Sequence, residues 1–209
     1  ANNNYANFPD SIKKIFDFLN SDSYLNFLQK LTSIKEKLIC DPQLNGGGLH
    51  EIKKGGVLKV HTDFSRHPSL KLDRRINVLI YLNKNWKEQY GGHLELWDKD
   101  MLECKKKILP TFNKMVIFST NDFSNHGHPE AVTCPSDQSR KSIALYYFSN
   151  GRPSEDIDKN LIKNKTYFKN RIGFNNDTNI NNEKFKNIIR NLRLYKMMKK
   201  FEKKYLRKK

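Results

Sequence analysis

The run Gly55-Gly56-Val57-Leu58-Lys59-Val60-His61-Thr62-Asp63-Phe64 constrains this 209-residue chain more than any other. Two glycines mark a turn, and the apolar residues after them fit a strand. Side chains of a strand alternate between its faces, so His61 and Asp63 point the same way. An imidazole beside a carboxylate at the end of an apolar run is two thirds of a ligand set. Two histidines and one carboxylate on one face of a metal, with the other positions open, favour non-haem Fe(II) and oxygen chemistry. A His-x-Asp pair is weak by itself, because 6 His and 13 Asp in a chain of this length generate such pairs by chance.

Context comes downstream. His126 lies in Ser124-Asn125-His126-Gly127-His128-Pro129, shortly after the apolar stretch Met115-Val116-Ile117-Phe118. Arg140 then opens a further strand pattern that runs to Phe148. On that strand Arg140, Ser142 and Tyr146 share one face, and Ile143, Leu145 and Tyr147 share the other. A guanidinium at the mouth of an apolar sheet is costly unless an anion meets it. Its fork suits a carboxylate held by two parallel hydrogen bonds.

From Gly48 to Phe148 the chain resembles the 2-oxoglutarate- and Fe(II)-dependent oxygenases, in their prolyl-hydroxylase-like branch. The words that carry the resemblance are Gly55 to Phe64, Arg74-Arg75-Ile76-Asn77-Val78-Leu79-Ile80-Tyr81-Leu82-Asn83, Trp86, Gly91-Gly92-His93-Leu94-Glu95-Leu96-Trp97-Asp98, His126-Gly127 and Arg140-Lys141-Ser142. The resemblance implies that His61, Asp63 and His126 bind iron. It implies that Arg140 grips the distal carboxylate of 2-oxoglutarate, with Tyr81 as second donor and Ser142 beside them. Collagen-type members carry Lys where this chain has Arg140, so the likeness is to the oxygen-sensing and ribosomal-protein prolyl hydroxylases. The implied cofactors are Fe(II), 2-oxoglutarate and O2, with ascorbate as a reductant. The implied reaction hydroxylates a C–H bond, that of a prolyl residue in a protein or peptide, and releases succinate and CO2.

Pattern and composition agree with a single oxygenase domain. Residues 9 to 38 carry two helical patterns, Ile12, Ile15, Phe16 and Leu19, then Leu25, Leu28, Leu31 and Ile34 after Ser21-Asp22-Ser23. Residues 46 to 150 are strand-rich, broken at Gly46-Gly47-Gly48, Gly55-Gly56, Gly91-Gly92, Pro110 and Pro135. The expected fold is α+β, a double-stranded β-helix (jelly roll) core with N-terminal buttressing helices and a basic C-terminal helix. The expected division is 1–151 for the oxygenase domain and 152–209 for a C-terminal extension. No run approaches the roughly 18 apolar residues of a membrane span, and no signal-peptide pattern opens the sequence, which starts at Ala1. Cys40, Cys104 and Cys134 are odd in number and widely spaced, which favours reduced thiols, small buried side chains and a cytoplasmic setting.

Charge concentrates at the end of the chain. Residues 152 to 209 hold 18 Lys and Arg against 6 Asp and Glu, so +12 of the net +17 lies there. After an Asn-rich stretch at 175–182, Phe185, Ile188, Ile189, Leu192, Tyr195, Met198, Phe201 and Tyr205 recur at helical spacing among basic residues. The sequence favours a helix over 183–207 docked on the body, with a nucleic-acid or ribosome contact as the secondary role.

The remaining histidines and aromatics need separate placing. His128 rivals His126 as a ligand, and the family's ligand directly before Gly favours His126. His93, Glu95 and Trp97 share a strand face, with His93 a structural or pocket-wall residue. His50 and His67 lie in loop-like segments where surface placement is the default. His67 also belongs to the segment Phe64 to Asp73, whose counterpart in prolyl hydroxylases folds over the substrate. His67, Trp97 and Tyr146 are therefore the candidate substrate contacts, with core packing the competing role for Tyr146. The alternative functions are a small-molecule hydroxylase of the same mechanism and a non-enzymatic cupin-like metal-binding module with a nucleic-acid-binding tail. Arg140 with Tyr81 counts against the second, since a structural metal site needs neither. A nucleic-acid demethylase fits poorly, because a second Arg is expected six residues after the first and Tyr146 stands there.

Overall fold

The computed structural model describes residues 1–171. Two helices, α1 (Asp10–Leu19) and α2 (Asp22–Thr32), precede the strands β1 (Ile39–Cys40), β2 (Gly48–Lys53), β3 (Leu58–Thr62), β4 (Asp73–Tyr81) and β5 (Leu94–Trp97). They are followed by β6 (Cys104–Ile108), β7 (Met115–Ser119), β8 (His126–His128), β9 (Ser139–Ser149) and β10 (Tyr167–Phe168). The strands form two antiparallel five-stranded sheets. In the first, β4 lies between β9 and β7, while β1 and β2 share the other edge of β9. The second runs β10-β3-β8-β5-β6. This mostly antiparallel, helix-poor architecture is consistent with a jelly roll.

The long first sheet has two different faces, as strand alternation requires. Ile76 and Val78 of β4, with Ile143, Leu145 and Tyr147 of β9, join Phe16, Leu19, Tyr24, Leu25 and Leu28 of the helices in one core. Tyr147 anchors the layer further, its hydroxyl donating to Leu19 O at 2.8 Å. Ser21 caps α2, its Oγ accepting from Tyr24 N, and Ser33 in the left-handed region ends it. The stripe departs from the expected one at two places. Ile15 and Leu31 are exposed, and Tyr24 takes the inward position. The opposite face of the same sheet carries Asn77, Tyr81, Arg140 and Ser142, all buried polar or amphipathic residues.

The segment after 151 lies along the second sheet. Its described part contains a 3-10 turn at Ser154–Asp156 and the strand β10, which pairs Phe168 with His61 across the edge of β3. Arg152 meets Asp122 at 2.8 Å in a fully buried ion pair. The expected basic helix over 183–207 lies outside the described residues. No helix among the described residues is long and apolar enough to cross a membrane.

Candidate active site

The pairing of β3 with β8 sets His61 directly opposite His126, and the two rings lie 4.6 Å apart between centroids. Asp63 follows β3 by one residue and completes the group. His61 Nε2 stands 3.5 Å from Asp63 Oδ1, and His126 Nε2 stands 3.3 Å from Asp63 Oδ2. One ligand atom from each residue lies within 4.8 Å of the others. Ligand bonds of about 2.1 Å to one ion set neighbouring ligand atoms about 3 Å apart, so the spacing suits a shared metal. Ring orientation agrees. Nδ1 of His61 faces Lys59 O at 2.8 Å and Nδ1 of His126 faces Ser124 O at 2.9 Å. Each Nδ1 therefore carries the proton, and each Nε2 turns its lone pair inward. Two lone pairs and a carboxylate converging this closely repel one another unless a cation sits among them.

Asp63 is held from behind. Oδ2 accepts from Asn77 Nδ2 at 2.8 Å and lies 2.9 Å from Arg74 Nη2. Arg74 in turn donates from Nε to Asn77 Oδ1 and lies between two rings, 3.5 Å from the Tyr146 centroid and 4.7 Å from that of Phe64. Burial works to raise the Asp63 carboxyl, but Arg74, His126 and His61 outweigh it and hold it far below the usual carboxylate range. Burial pushes His126 down to about 4 against the pull of Asp63. Asp63 is thus ionised and His126 neutral, the states that metal ligation needs.

Arg140 is buried on the same face of the first sheet as Asn77. Its Nε donates to Gly92 O at 2.7 Å, and Nη2 lies 3.3 Å from Tyr81 Oη. Among the described residues no carboxylate forms an ion pair with it, which leaves a desolvated guanidinium without a counter-charge. Burial raises the Tyr81 phenol and so keeps it a donor. Ser142, buried between His50 of β2 and Tyr81 of β4, shares the Arg140 face. Gly92 is obligatory here. Its φ of +67° is in the left-handed region, and a Cβ would come within 2.8 Å of Arg140 Cδ. An unpaired guanidinium flanked by a phenol fits a ligand carboxylate such as the distal one of 2-oxoglutarate.

The structure separates the remaining candidates. It groups His126, not His128, with His61 and Asp63. Tyr146 is in the site, stacked on Arg74 and donating to Gly46 O at 2.9 Å. Trp97 donates from its indole to Glu95 Oε2 at 2.9 Å, on the strand face pointing away from His126. His93 pairs with Glu88 at 2.7 Å. His67 is not on the surface, and His50 is half-buried. His67 has no exposed area, its Nε2 lies 3.2 Å from Asp41 Oδ1, and its Nδ1 accepts from Leu70 N. It pins the 64–73 loop and is not placed to touch a substrate directly. The expectation of buried thiols is met by Cys134, while Cys40 and Cys104 are partly exposed, and all three are free.

Arg74 and Asn77 were illegible as site residues. Strict alternation puts Arg75, not Arg74, on the face of Asn77 and Tyr81. A bulge between Arg74 and Ile76 reverses that parity, and Arg75 turns away to Glu36 and Ser149.

Comparison with known proteins agrees with this geometry. Residues 47–148 match the model of the 2OG-Fe(II) oxygenase superfamily. That segment, just under half of the chain, carries its similarity to the superfamily. The description of the matched family names 2-oxoglutarate and Fe(II). Among curated proteins it is similar to the prolyl 3-hydroxylase OGFOD1 of Mus musculus, at 34% identity over 79 residues. That match takes in 36% of this chain and only 14% of the relative's length. Among solved structures it is similar to a 2OG-Fe(II) family oxidoreductase from Burkholderia pseudomallei, with TM-score 0.48 and 15% identity over 69% of this chain and 59% of that one. A prolyl 4-hydroxylase from Phytophthora capsici gives TM-score 0.46 and 20% identity over 65% and 42%.

Proposed function

We propose that this chain is a 2-oxoglutarate- and Fe(II)-dependent dioxygenase that hydroxylates a prolyl residue in a protein or peptide. The observation that supports it most is the convergence of His61, Asp63 and His126, together with the unpaired guanidinium of Arg140 on the sheet face whose Asn77 holds Asp63. His61, Asp63 and His126 would hold Fe(II), which with 2-oxoglutarate and O2 would supply oxidative decarboxylation to succinate and CO2 coupled to hydroxylation of a C–H bond. The backbone carbonyls of Lys59 and Ser124 fix both imidazoles with Nε2 inward, and Asn77 and Arg74 orient the carboxylate of Asp63. Arg140 and Tyr81 would hold the distal carboxylate of 2-oxoglutarate. The likeness to a prolyl 3-hydroxylase supports a prolyl substrate. The excess of basic residues after 151 supports a secondary contact with an acidic partner such as RNA or a ribosome, whose affinity would fall steeply with salt.

The test is substrate-dependent succinate formation over a panel of proline-containing peptides, ribosomal-protein fragments and free proline, with and without ascorbate. Turnover with a peptide, abolished in His61→Ala and Asp63→Ala proteins of unchanged circular dichroism, is the expected result. Turnover confined to free proline or another metabolite would instead establish the small-molecule hydroxylase.

A further inference from the structure

His128 is a histidine that the metal group leaves out. It is 2% exposed, and neither Nδ1 nor Nε2 has a hydrogen-bond partner among the described residues. A buried imidazole with both nitrogens unmet costs free energy of desolvation, so such groups call for an explanation. Its position supplies one. Residues two apart on a strand share a face, so His128 points to the same side of the sheet as His126. On one side β8 pairs with β3, setting His128 opposite Leu58. On the other, β5 pairs Leu96 with His126 and Glu95 with Gly127. Continuing that register brings His128 alongside Leu94, two residues from Gly92, whose carbonyl accepts from Arg140 Nε. The register therefore carries His128 toward the strand end whose Gly92 carbonyl meets Arg140.

We propose that His128 is a third donor to the distal carboxylate of 2-oxoglutarate, completing with Arg140 and Tyr81 a pocket that grips the cosubstrate through an imidazole as well as a guanidinium and a phenol. An imidazole carries at least one N–H whatever its protonation state, so the donor is always present. The inference rests on the reading of Arg140 given above. It makes His128 a specificity-determining residue, because the third donor rewards ligands that carry the distal carboxylate.

The experiment is calorimetric titration of 2-oxoglutarate, and of 2-oxobutyrate as a keto acid without the distal carboxylate, into Mn(II)-loaded full-length protein. His128→Val should weaken 2-oxoglutarate binding about tenfold or more, the effect of losing a hydrogen bond to a charged group. Affinities for Mn(II) and for 2-oxobutyrate should be unchanged, and His128→Asn, which keeps an N–H, should recover part of the loss. His128→Leu, closer to the imidazole in volume, carries the same test should the valine variant fail to fold. Unchanged 2-oxoglutarate affinity overturns the inference, as does a parallel loss of Mn(II) affinity, which would assign His128 to the metal. Arg140→Ala is measured beside it. If that variant too leaves 2-oxoglutarate affinity unchanged, the pocket reading itself falls; if only His128 is silent, the third donor alone does.

Discussion

Asp63 depends on Arg74 in a way that metal should reveal. Removing one member of a buried ion pair typically costs about 3–5 kcal/mol, because the other charge is left desolvated. In the metal-loaded protein the ion supplies positive charge to the same carboxylate, so the loss should be smaller. Arg74→Met is thus expected to lower Tm more in metal-free than in Mn(II)-loaded protein, and equal shifts would sink the idea. The buried histidines make a second prediction. Burial holds His126 at about 4 and His128 at about 3, below the roughly 6.5 of an unfolded histidine. Between those values the unfolded chain binds more protons than the folded one, so stability falls as pH drops from about 6.5. The depressed Asp63 acts in the same direction at lower pH still. Metal-free protein should melt at a clearly lower temperature at pH 5 than at pH 7; equal melting temperatures would contradict the buried, neutral state of these rings.

At the scale of elements, the loop after β3 is built as an anchored flap. Arg74 N donates to Ser65 O, His67 N donates to Leu72 O, and the His67 ring is locked against Asp41 and the Phe148 ring. Beyond this pin, Pro68, Ser69 and Leu70 are exposed at the loop tip. Deleting residues 67–71 would remove the pin with the tip, so the informative change is at the tip alone. Pro68→Gly combined with Leu70→Ser should reduce peptide hydroxylation several-fold while leaving substrate-independent 2-oxoglutarate turnover and Tm nearly unchanged. Equal loss of both activities would count against a substrate-covering role.

Across the whole molecule, the first sheet works as a partition. One face is sealed by α1 and α2, and the other carries the polar groups of the site at fixed spacing. Packing on the sealed face therefore holds Arg140 and Tyr81 still without touching them. Phe16 is fully buried there, with the Phe8 ring 5.1 Å away. Phe16→Ala should cost about 3–5 kcal/mol of stability in chemical denaturation. Ile15→Ala, at an exposed position on the next residue, should cost far less, on the order of 0.5 kcal/mol. Similar costs for both would mean that the helices do not seal the sheet as described.

The sequence by itself determined what strand period and residue type can carry. His61 and Asp63 share a face because they are two apart, and Arg140 and Ser142 do so for the same reason. The apolar set Ile143, Leu145 and Tyr147 opposes them and enters the core. A carboxylate-binding fork was legible in Arg140 because a guanidinium on a buried strand needs an anion. Tertiary structure decided everything that depends on register between distant strands. The pairing of His61 with His126 brought that histidine, already favoured by the Gly after it, to Asp63 and left His128 out of the group. A single bulge in β4 put Arg74 on the face that alternation gives to Arg75. His67, polar and in a loop, went to the interior because Asp41 and the backbone of its own loop satisfy both its nitrogens. Periodicity is local and survives in the chain, whereas register and burial are set by contacts between residues tens of positions apart.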